Sequence, residues 1–549
     1  MRRILFLLIL IIPVILSAED TNTRTGTIVD VPAEISSWLD REIAKANRKS
    51  LLGKDEFFTR DTARLVGYIK GYHPDLGFNT GIVQASNDYS LSVYPCIATI
   101  QADGRFEVTI PMSHPKILSL DFNKTMLSFY LEPGQTLGLY FDWNTFVSSD
   151  GFNQDSQTDQ ELQFLGPLAT LNKDIKSIKL VKSHLWSYKG VTQEAMITEV
   201  NRLVDTNKAI ILKAEQERSL SPDAIAIQQM EMIIDAGYKL MDYVSFQQGS
   251  NDTITKEYYS FLQSMPLNDQ RMAISPSFML FINRLEFSKA VFWKSLRSDK
   301  GWENPSFQEK WRRRDSLMQS ELNLPSSFAY EVFKVRHFSR DMPSMKKDEA
   351  YKNFAVLKQG LTNPFLLDES KRMLLKQFGI IHQPQTKLKP DVGLYLPEQN
   401  FPKMEVAGST SVALPEGKAT DILRNVIDPY KGKYLFLDFW ATYCGPCRWG
   451  IENMRPIRDK YANSDKLDFI FITGKNDSPI KEYEKYTREQ NMVHSYRLEN
   501  DDFNYLKQLF RINGIPHYVL IDPDGNVKDF NFDMVFDFDV ELKKILSVD

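Results

Sequence analysis

Cysteine is scarce in this sequence. Of its 549 residues only 3 are cysteines, and they are Cys96, Cys444 and Cys447. Small secreted domains that depend on disulfides use many cysteines at spread positions, so this chain is not a disulfide-stabilised scaffold. Cys444 and Cys447 stand three positions apart, and a bond between them would close too small a loop to constrain the unfolded chain much. The spacing therefore indicates a chemical rather than a structural purpose.

Excess charge and long apolar runs are also missing. The formal net charge is −4, so no basic surface predicts nucleic acid as a partner. Beyond the N-terminus no apolar run is long enough to span a bilayer, and we expect no stable membrane insertion of the mature protein. No second cysteine pair or suitably spaced histidine accompanies Cys444 and Cys447, so we expect neither a metal site nor another cofactor.

The N-terminal residues have the layout of a secretory signal peptide. Arg2 and Arg3 precede an apolar run at 4–16, and two small residues follow before the chain turns polar. The run is too short to predict a transmembrane span. We therefore expect a signal peptide at 1–18 and export of the protein, while an uncleaved anchor or a buried helix are the alternatives for such a run.

The length predicts a multidomain protein, because 549 residues exceed what one hydrophobic core normally serves. Residues 24–150 are expected to form an antiparallel β-sandwich-like domain with an N-terminal helical segment at 33–52. Turn sequences such as Ala102-Asp103-Gly104 separate runs in which apolar and polar residues alternate. The alternating apolar residues include Phe106, Val108, Ile110, Leu118, Leu120, Phe122, Leu137, Leu139 and Phe141.

The pattern changes to a helical period at 151–385, where we expect an all-α domain. Ser221 and Pro222 have the residue types of an N-cap and a first-turn proline. One apolar stripe at helical spacing consists of Met196, Val200, Leu203, Val204 and Ile211. Residues 386–402 are rich in proline and poor in aliphatic residues, which predicts a linker.

The C-terminal residues 403–549 predict an α/β domain. A strand is expected at 434–440, a helix after Cys447, and another strand at 467–473. These elements form a βαβ unit, whose crossover should be right-handed. A further strand is expected at 517–521, followed by a hairpin turn and a closing helix.

Cys444 stands where the expected strand gives way to the helix. Free backbone N–H groups and the positive end of the helix dipole favour a thiolate there, so Cys444 is the expected nucleophile. Cys447, one helical turn further on, lies within disulfide reach and can resolve a mixed disulfide by attacking the Cys444 sulfur. Gly445 lets a partner backbone approach, and Pro446 fits the first helical turn without the loss of a hydrogen bond.

Asp438 stands inside the apolar strand that precedes the cysteines. A buried carboxyl has a raised pKa, and Asp438 could then accept the proton of Cys447 when that thiol becomes a nucleophile. On a half-exposed strand Asp438 would instead point to solvent and take no part. The alternation of residues alone leaves both interpretations open.

The stretch "DFWATYCGPCR", followed later by "GIPHYVLIDPDG", resembles the thioredoxin fold, and most closely the exported thiol–disulfide oxidoreductases of the TlpA/ResA type. The resemblance implies that Ile515 and Pro516 form a cis-proline loop, in which the Ile515 backbone pairs with a substrate strand. It also implies that Asp438 is the family's buried acid. Tyr443 stands where many relatives have tryptophan, and Glu452 where thioredoxins have a helix-kinking proline, which leaves the helix geometry open.

The same resemblance implies an exported thiol–disulfide oxidoreductase located in the periplasm of a Gram-negative envelope. The Gly-Pro dipeptide is similar to that of reducing thioredoxins, so we expect a reductase that acts on thiols and disulfides of other exported proteins. Work of relatives includes cytochrome c biogenesis and cell redox homeostasis, with electrons from a membrane thiol donor. The turns at 102–106 and 131–134 resemble β domains that precede thioredoxin modules in Bacteroidota.

Other interpretations remain beside this one. The N-terminal residues could recruit a partner or an envelope ligand, which would make the protein a binding or scaffold protein with an auxiliary redox module. A peroxidase is disfavoured, because a peroxidatic cysteine does not normally need a resolving partner three residues on. Cys96 is expected to be an inert buried thiol, with a disulfide to another cysteine as the alternative. His517 is expected to be an ordinary packed or exposed histidine rather than a group that tunes the thiols.

Overall fold

The structure is a computed structural model that describes most of the chain between residues 31 and 546. The described ranges are 31–45, 50–52, 56–122, 125–144, 162–182, 190–246, 254–288, 305–324, 326–378, 411–532 and 538–546, together with 188, 291, 295, 297–298 and 301–302. The expected signal peptide at 1–18 and the expected linker at 386–402 lie outside them. Along the described ranges, no helix combines the length and the apolar character that crossing a membrane requires.

Eight strands form one large N-terminal sheet. They are β1 (Asp61–Lys70), β2 (Thr80–Asn87), β3 (Ser92–Ile100), β4 (Arg105–Met112), β5 (Lys116–Phe122), β6 (Thr125–Leu131), β7 (Thr136–Asp142) and β8 (Leu162–Leu165). Their order across the sheet is β6-β5-β2-β3-β4-β1-β7-β8. A helix before the sheet, α1 (Ala33–Ile43), buries Ile35 and Leu39 in one cluster with Val66 of β1. The helical segment expected at 33–52 is therefore present but shorter, because the helix ends at Ile43 and residues 50–52 are not helical.

The sheet is mixed, which corrects the expectation of a purely antiparallel sandwich. β1 runs parallel to β7, with Leu65 opposite Leu137, whereas its other neighbour β4 is antiparallel. Alternating apolar residues indicate which face of a strand is buried but not the direction of its neighbour. Aromatic rings from distant strands nevertheless contact each other, since the ring centroids of Phe122 on β5 and Phe141 on β7 are 6.1 Å apart. The sheet thus curls over its own core, as the two layers of a sandwich do.

The middle of the chain is mainly helical, as expected. Its α-helices are α2 (Ala169–Ser177), α3 (Gln193–Glu217), α4 (Pro222–Phe246), α5 (Pro276–Glu286), α6 (Phe307–Ser320), α7 (Phe328–Asp341), α8 (Lys347–Gln359) and α9 (Pro364–Gln377). It is not all-α, because β9 (Arg297–Ser298) pairs with β10 (Gly301–Trp302). The sheet strand β8 also falls within the region expected to be helical. Such short strands carry too few residues to show a period in the sequence.

The N-terminal sheet and the middle helices share one hydrophobic core. Phe58, which precedes β1, stacks on Phe365 of α9 with ring centroids 4.3 Å apart. Arg336 of α7 donates a hydrogen bond of 2.6 Å to the backbone oxygen of Asp88 and pairs with the buried carboxylate of Glu286. Because the carboxylate and the carbonyl both satisfy this buried guanidinium, its burial is tolerated. The two parts are therefore continuous in packing.

The C-terminal domain is built on a five-stranded sheet. Its strands are β11 (Tyr434–Phe439), β12 (Leu467–Gly474), β13 (His494–Leu498), β14 (His517–Ile521) and β15 (Val527–Asp529), and their order is β13-β12-β11-β14-β15. β11, β12 and β13 are parallel, whereas β14 and β15 run antiparallel to their neighbours. The expected βαβ unit is thus present, with β11 in the centre of the sheet.

Helices cover both faces of this sheet, as the α/β prediction requires. They are α10 (Lys418–Ile427), α11 (Gly445–Asn453), α12 (Arg455–Tyr461), α13 (Ile480–Glu489), α14 (Asn500–Leu509) and α15 (Phe538–Leu546). Residues of α11, α13 and α15 form a core with Phe436, and residues of α10 and α14 form another with Leu437. Successive strand residues point to opposite faces. Asp438 therefore points to the face that carries α11.

Candidate active site

The two cysteines lie at the junction of β11 and α11. Cys444 is the N-cap residue of α11, Cys447 lies in its first turn, and a disulfide joins their sulfur atoms at 1.97 Å. Pro446 also lies in the first turn, where its missing N–H costs no hydrogen bond. The backbone N–H of Cys447 donates to the Cys444 sulfur over 3.2 Å. This donor and the helix dipole both stabilise negative charge on that sulfur.

The two sulfurs differ in their access to a partner. Cys444 is 7% exposed, whereas Cys447 is completely buried. A Cβ added to Gly445 would meet no described atom within 4 Å, so the space beside Cys444 is open. A partner disulfide can therefore approach Cys444 but not Cys447. The roles of Cys444 as nucleophile and Cys447 as resolving cysteine stay predictions.

Two segments flank Cys444. On one side Tyr443 is 71% exposed, and its hydroxyl donates a 3.3 Å hydrogen bond to Asp477. On the other side the peptide bond between Ile515 and Pro516 is cis, and the Ile515 backbone oxygen lies 3.6 Å from the Cys444 sulfur. The expected cis-proline loop is confirmed. The structure thus brings the residues predicted to contact a substrate together around Cys444.

Asp438 is completely buried on the face of the sheet that carries α11. Neither of its carboxylate oxygens has a hydrogen-bond partner among the described residues. Burial raises the pKa of Asp438 to about 8, since a carboxylate is poorly solvated there, while the positive charge of Arg458 acts in the opposite direction. The interpretation of Asp438 as a solvent-facing residue is therefore wrong. The buried acid implied by the resemblance is in place.

Arg458 of α12 is a residue that sequence reasoning missed. Its guanidinium is buried and donates to the backbone oxygens of Ile451 at 3.1 Å and of Gln490 at 3.0 Å. It lies 5.2 Å from the ring centre of Phe471, and Phe471 stands opposite Asp438 in the neighbouring strand. Arg458 therefore covers the same face as Asp438, and its charge favours the ionised carboxylate. An arginine on a short helix normally faces solvent, so the sequence carries no signal for this position.

Tyr518 of β14 is the second residue that the sequence did not single out. It stands opposite Asp438, and its ring stacks on that of Phe436 with centroids 5.3 Å apart. A Cβ added to Gly450 would lie only 2.7 Å from the Tyr518 hydroxyl, so this glycine makes room for the hydroxyl against α11. Burial and the negative charge of Asp438 raise the pKa of Tyr518. A glycine inside a helical pattern was the available signal for this contact.

The helix behind the cysteines, whose geometry the sequence left open, is interrupted after Asn453. α11 ends at Asn453, and α12 begins with Pro456 in its first turn. A proline interrupts a helix because it lacks an N–H and clashes with the preceding turn. Glu452, which stands where thioredoxins have proline, instead accepts a 3.2 Å hydrogen bond from the Tyr486 hydroxyl. The helix is therefore still interrupted by a proline, but Pro456 lies four residues closer to the C-terminus than position 452, where thioredoxins have theirs.

Two further residues lie apart from this chemistry. Cys96 is 1% exposed in the core of the N-terminal sheet, and its sulfur lies 3.1 Å from the backbone oxygen of Tyr94. This confirms the predicted burial of Cys96.

His517 is a packed histidine, as expected. Its Nε2 lies 2.7 Å from the backbone oxygen of Phe530, and burial lowers its pKa to about 4. Across the part of the chain that is described, no group of three or more metal-ligating side chains is placed to hold an ion.

Residues 432–527 match a family model described as Thioredoxin-like. This part of the chain is a thioredoxin-like domain. Over 131 residues the chain is 24% identical to the thiol–disulfide oxidoreductase ResA of Geobacillus kaustophilus, a match that covers 24% of this chain and 72% of that protein. Over 105 residues it is 24% identical to "Probable nucleoredoxin 1" of Arabidopsis thaliana, which covers 19% of this chain and 18% of that protein.

Solved structures include a similar thioredoxin-like domain. The thioredoxin domain of a thiol–disulfide oxidoreductase from Bacteroides vulgatus is 21% identical, and the match covers 22% of this chain and 84% of that chain with a TM-score of 0.20. The chain thus spans 18% of the Arabidopsis relative and most of the length of ResA. The prediction of a thioredoxin-like domain at the C-terminal end of the chain is confirmed.

Proposed function

We propose that this protein is an exported thiol–disulfide oxidoreductase that reduces disulfides of other proteins in the periplasm of a Gram-negative envelope. The observation that carries the proposal is the asymmetry of the cysteine pair, in which only Cys444 reaches the surface and Cys447 is completely buried. A disulfide that served stability alone would gain little from so short a loop. The activity named for the ResA relatives supports the proposal.

The reaction begins with both cysteines reduced. The Cys444 thiolate attacks one sulfur of a partner disulfide, a bond forms between them, and the other partner sulfur leaves as a thiolate that takes up a proton from water. Cys447 then loses its proton and attacks the Cys444 sulfur, which releases the first partner sulfur. The partner gains two electrons, and the enzyme is left with the Cys444–Cys447 disulfide seen in the structure.

Asp438 is the proposed acceptor of the Cys447 proton. Cys447 is completely buried, so bulk water has no direct contact with its thiol. Asp438 is buried on the same face of the sheet, and its pKa of about 8 lets it gain and lose a proton near neutral pH. In the reverse reaction Asp438 returns the proton when Cys447 becomes the leaving thiolate.

The proposed substrate is an extended segment that adds to the backbone of Ile515. Because the Ile515 oxygen is 3.6 Å from the Cys444 sulfur, a strand paired there places its own cysteine over Cys444. Pro516 follows in the same loop. Tyr443 offers an exposed aromatic surface on the opposite side. Cysteines of exported proteins, including the thiols of apocytochrome c, are the proposed targets.

Repeated turnover in the reducing direction requires an electron source. We propose a membrane thiol donor that reduces the Cys444–Cys447 disulfide after each cycle. The signal-like sequence at 1–18 supports the proposed export. The equilibrium reduction potential against glutathione and dithiothreitol tests the direction, and a value near that of strong thiol oxidants would contradict a reductase.

A scaffold or binding function is the second candidate. One observation favours it, because the N-terminal sheet and the middle helices share a large core that takes no part in the cysteine chemistry. The reduction of insulin by dithiothreitol distinguishes the two candidates. We expect wild-type protein to accelerate it, Cys444→Ser to lose the acceleration, and Cys96→Ala to keep it as the matched control. If wild type is no faster than Cys444→Ser, the enzyme proposal fails and the scaffold function stands.

A further inference from the structure

The thioredoxin-like domain is attached to the N-terminal sheet at the start of α14. The Asp501 carboxylate accepts hydrogen bonds from the backbone N–H of Asn79 at 2.9 Å and from the backbone N–H and hydroxyl of Thr80 at 3.0 and 2.5 Å. Asn504 adds a bond of 3.2 Å to the Thr80 hydroxyl. Thr80 is 1% exposed, so water has little access to its N–H and hydroxyl groups. Hydrogen bonds to an ionised carboxylate are roughly twice as strong as neutral ones.

A second contact holds the far end of the same helix. The guanidinium of Arg511, just beyond α14, lies 5.7 Å from the ring centre of Tyr94 on β3. Asp501 contacts β2, and β2 and β3 are neighbours in the sheet. One contact would leave the domain free to turn about it. Contacts at both ends of α14 instead fix the orientation of the domain against the sheet.

The attached surface of the sheet continues from β2 to β5, toward the rim of the active site. Asp121 of β5 stands opposite Ile82 of β2. Ile82 is two residues from Thr80 and so points to the same face, which is the face that meets the thioredoxin-like domain. The carboxylate of Asp121 interacts by charge with Lys507 and Asp477 of that domain. The sheet surface formed by β2 and β5 is therefore close to the loop that follows β12.

Asp477 lies between this surface and the residue that precedes the nucleophile. Its carboxylate accepts the 3.3 Å hydrogen bond from the Tyr443 hydroxyl and lies 3.7 Å from the Nζ atom of Lys507. Tyr443 directly precedes Cys444, which is 7% exposed. The negative charge of Asp121 also acts on the Tyr443 hydroxyl. Through Asp477 and Lys507, Tyr443 is thus linked to the helix α14 that is attached to the N-terminal sheet.

We propose that the sheet surface formed by β2 and β5 is a fixed wall of the substrate cleft and determines which proteins the enzyme reduces. The inference rests on the proposed reduction of protein disulfides. An extended segment fits between Ile515 and Tyr443 and reaches the Cys444 sulfur. A compact protein is hindered by the wall behind Tyr443, so its disulfide reaches Cys444 more slowly than a disulfide in an extended segment does. The partner is therefore an unfolded or extended exported polypeptide.

The test compares two substrates with full-length enzyme in which the contact is weakened. Asp501→Ala removes the acceptor of three hydrogen bonds, and Asp502→Ala is the matched control, because the favourable charge on Asp502 comes from Lys418 of its own domain. The substrates are native insulin and two short linear peptides joined by one disulfide. We expect Asp501→Ala to raise kcat/KM for insulin by at least about threefold and to leave that for the peptides within about 1.5-fold of wild type. Asp502→Ala changes neither.

Any other pattern of kcat/KM changes for the two substrates contradicts the proposed wall. Equal changes for both substrates, a fall for insulin, or no change for either would each contradict it. If Asp501→Ala does not fold, Thr80→Ala takes its place with the same expected ratio, because it removes one hydroxyl and keeps the backbone donors. Failure of the proposed function looks different, because wild-type enzyme would then reduce neither substrate faster than dithiothreitol alone.

Discussion

Asp438 and Cys447 are both completely buried on the same face of the C-terminal sheet. Cys447 belongs to an apolar cluster with Phe436, whose side chain points to the same face as that of Asp438, two residues on. An acid and a thiol that are both shielded from water can exchange a proton with each other more readily than with solvent. The state of this pair therefore controls the second step of disulfide exchange, and most of the expectations below follow from it.

Replacement of Asp438 by asparagine should slow the second step and spare the first. Asn cannot accept the Cys447 proton, and a lost general base typically costs about a hundredfold or more in rate. The Cys444 thiolate does not need that base. Rapid quenching with mass spectrometry should show the mixed disulfide forming at a wild-type rate and persisting in Asp438→Asn. Equal slowing of both steps would contradict the assigned role.

The same variant should change the pH dependence of stability. The pKa of Asp438 is raised from 3.8 to about 8 in the folded state, so the folded protein binds its proton more tightly than the unfolded chain. The contribution of protonated Asp438 to the free energy of unfolding is fully present below the pKa that this residue has in the unfolded chain. It is lost as the pH rises to about 8, by at most about 1.4 kcal/mol per pH unit. Asp438→Asn removes this loss. Hydrogen exchange at 434–439 should show that the variant becomes more stable relative to wild type as the pH rises from 4 to 8. A stability difference between the two proteins that stays constant with pH would refute the raised pKa.

Arg458 should adjust the pKa of Asp438, the proposed base, and should not itself accept a proton. Its positive charge favours the Asp438 carboxylate, so Arg458→Met should raise the pKa of Asp438 above 8. The midpoint of the pH profile for the second step should then move upward by about one unit. Arg455→Met removes an exposed charge from the same helix and serves as the control. A purely structural role would lower the melting temperature without moving the midpoint, and that outcome would contradict the assignment.

Gly450 and Tyr518 should show a compensating pair of substitutions. Gly450→Ala places a Cβ 2.7 Å from the Tyr518 hydroxyl, and overpacking of this kind costs roughly 1–3 kcal/mol. Tyr518→Phe removes the hydroxyl and the clash. In that background Gly450→Ala should be neutral or stabilising, since alanine is the better helix former. Thermal unfolding of the single and double variants measures the effect, and an unchanged penalty in the double variant would exclude this contact.

Much of the candidate site is visible in the sequence because its chemistry depends on local spacing. The helix N-cap position of Cys444 and the first-turn position of Cys447 follow from a strand–helix junction alone. Pro516 is distant in the sequence, and its place beside Cys444 was available only through resemblance. Arg458 and Tyr518 were missed because their roles depend on which strands become neighbours of Asp438. Sequence alternation gives the face of a residue but not the neighbour it meets.

The N-terminal half was predicted less completely for a related reason. Alternating residues indicated the strands, but the parallel pairing of β1 with β7 depends on how the chain returns across the sheet. The attachment of Asp501 to Thr80 joins residues far apart in the chain, and an aspartate in the first turn of a helix reads as an ordinary helix-stabilising residue. Contacts between residues so far apart in the chain produce no periodic pattern in the sequence.

Trapping of the mixed disulfide tests the central claim most directly. Full-length Cys447→Ser and Cys444→Ser variants are reduced, freed of reductant and mixed with a linear peptide disulfide, and the products are identified by mass spectrometry. The account predicts that Cys447→Ser accumulates a stable adduct through Cys444, because the resolving thiol is gone. Cys444→Ser should form no adduct, since Cys447 is completely buried. An adduct on Cys447, or none on Cys444, would contradict the account.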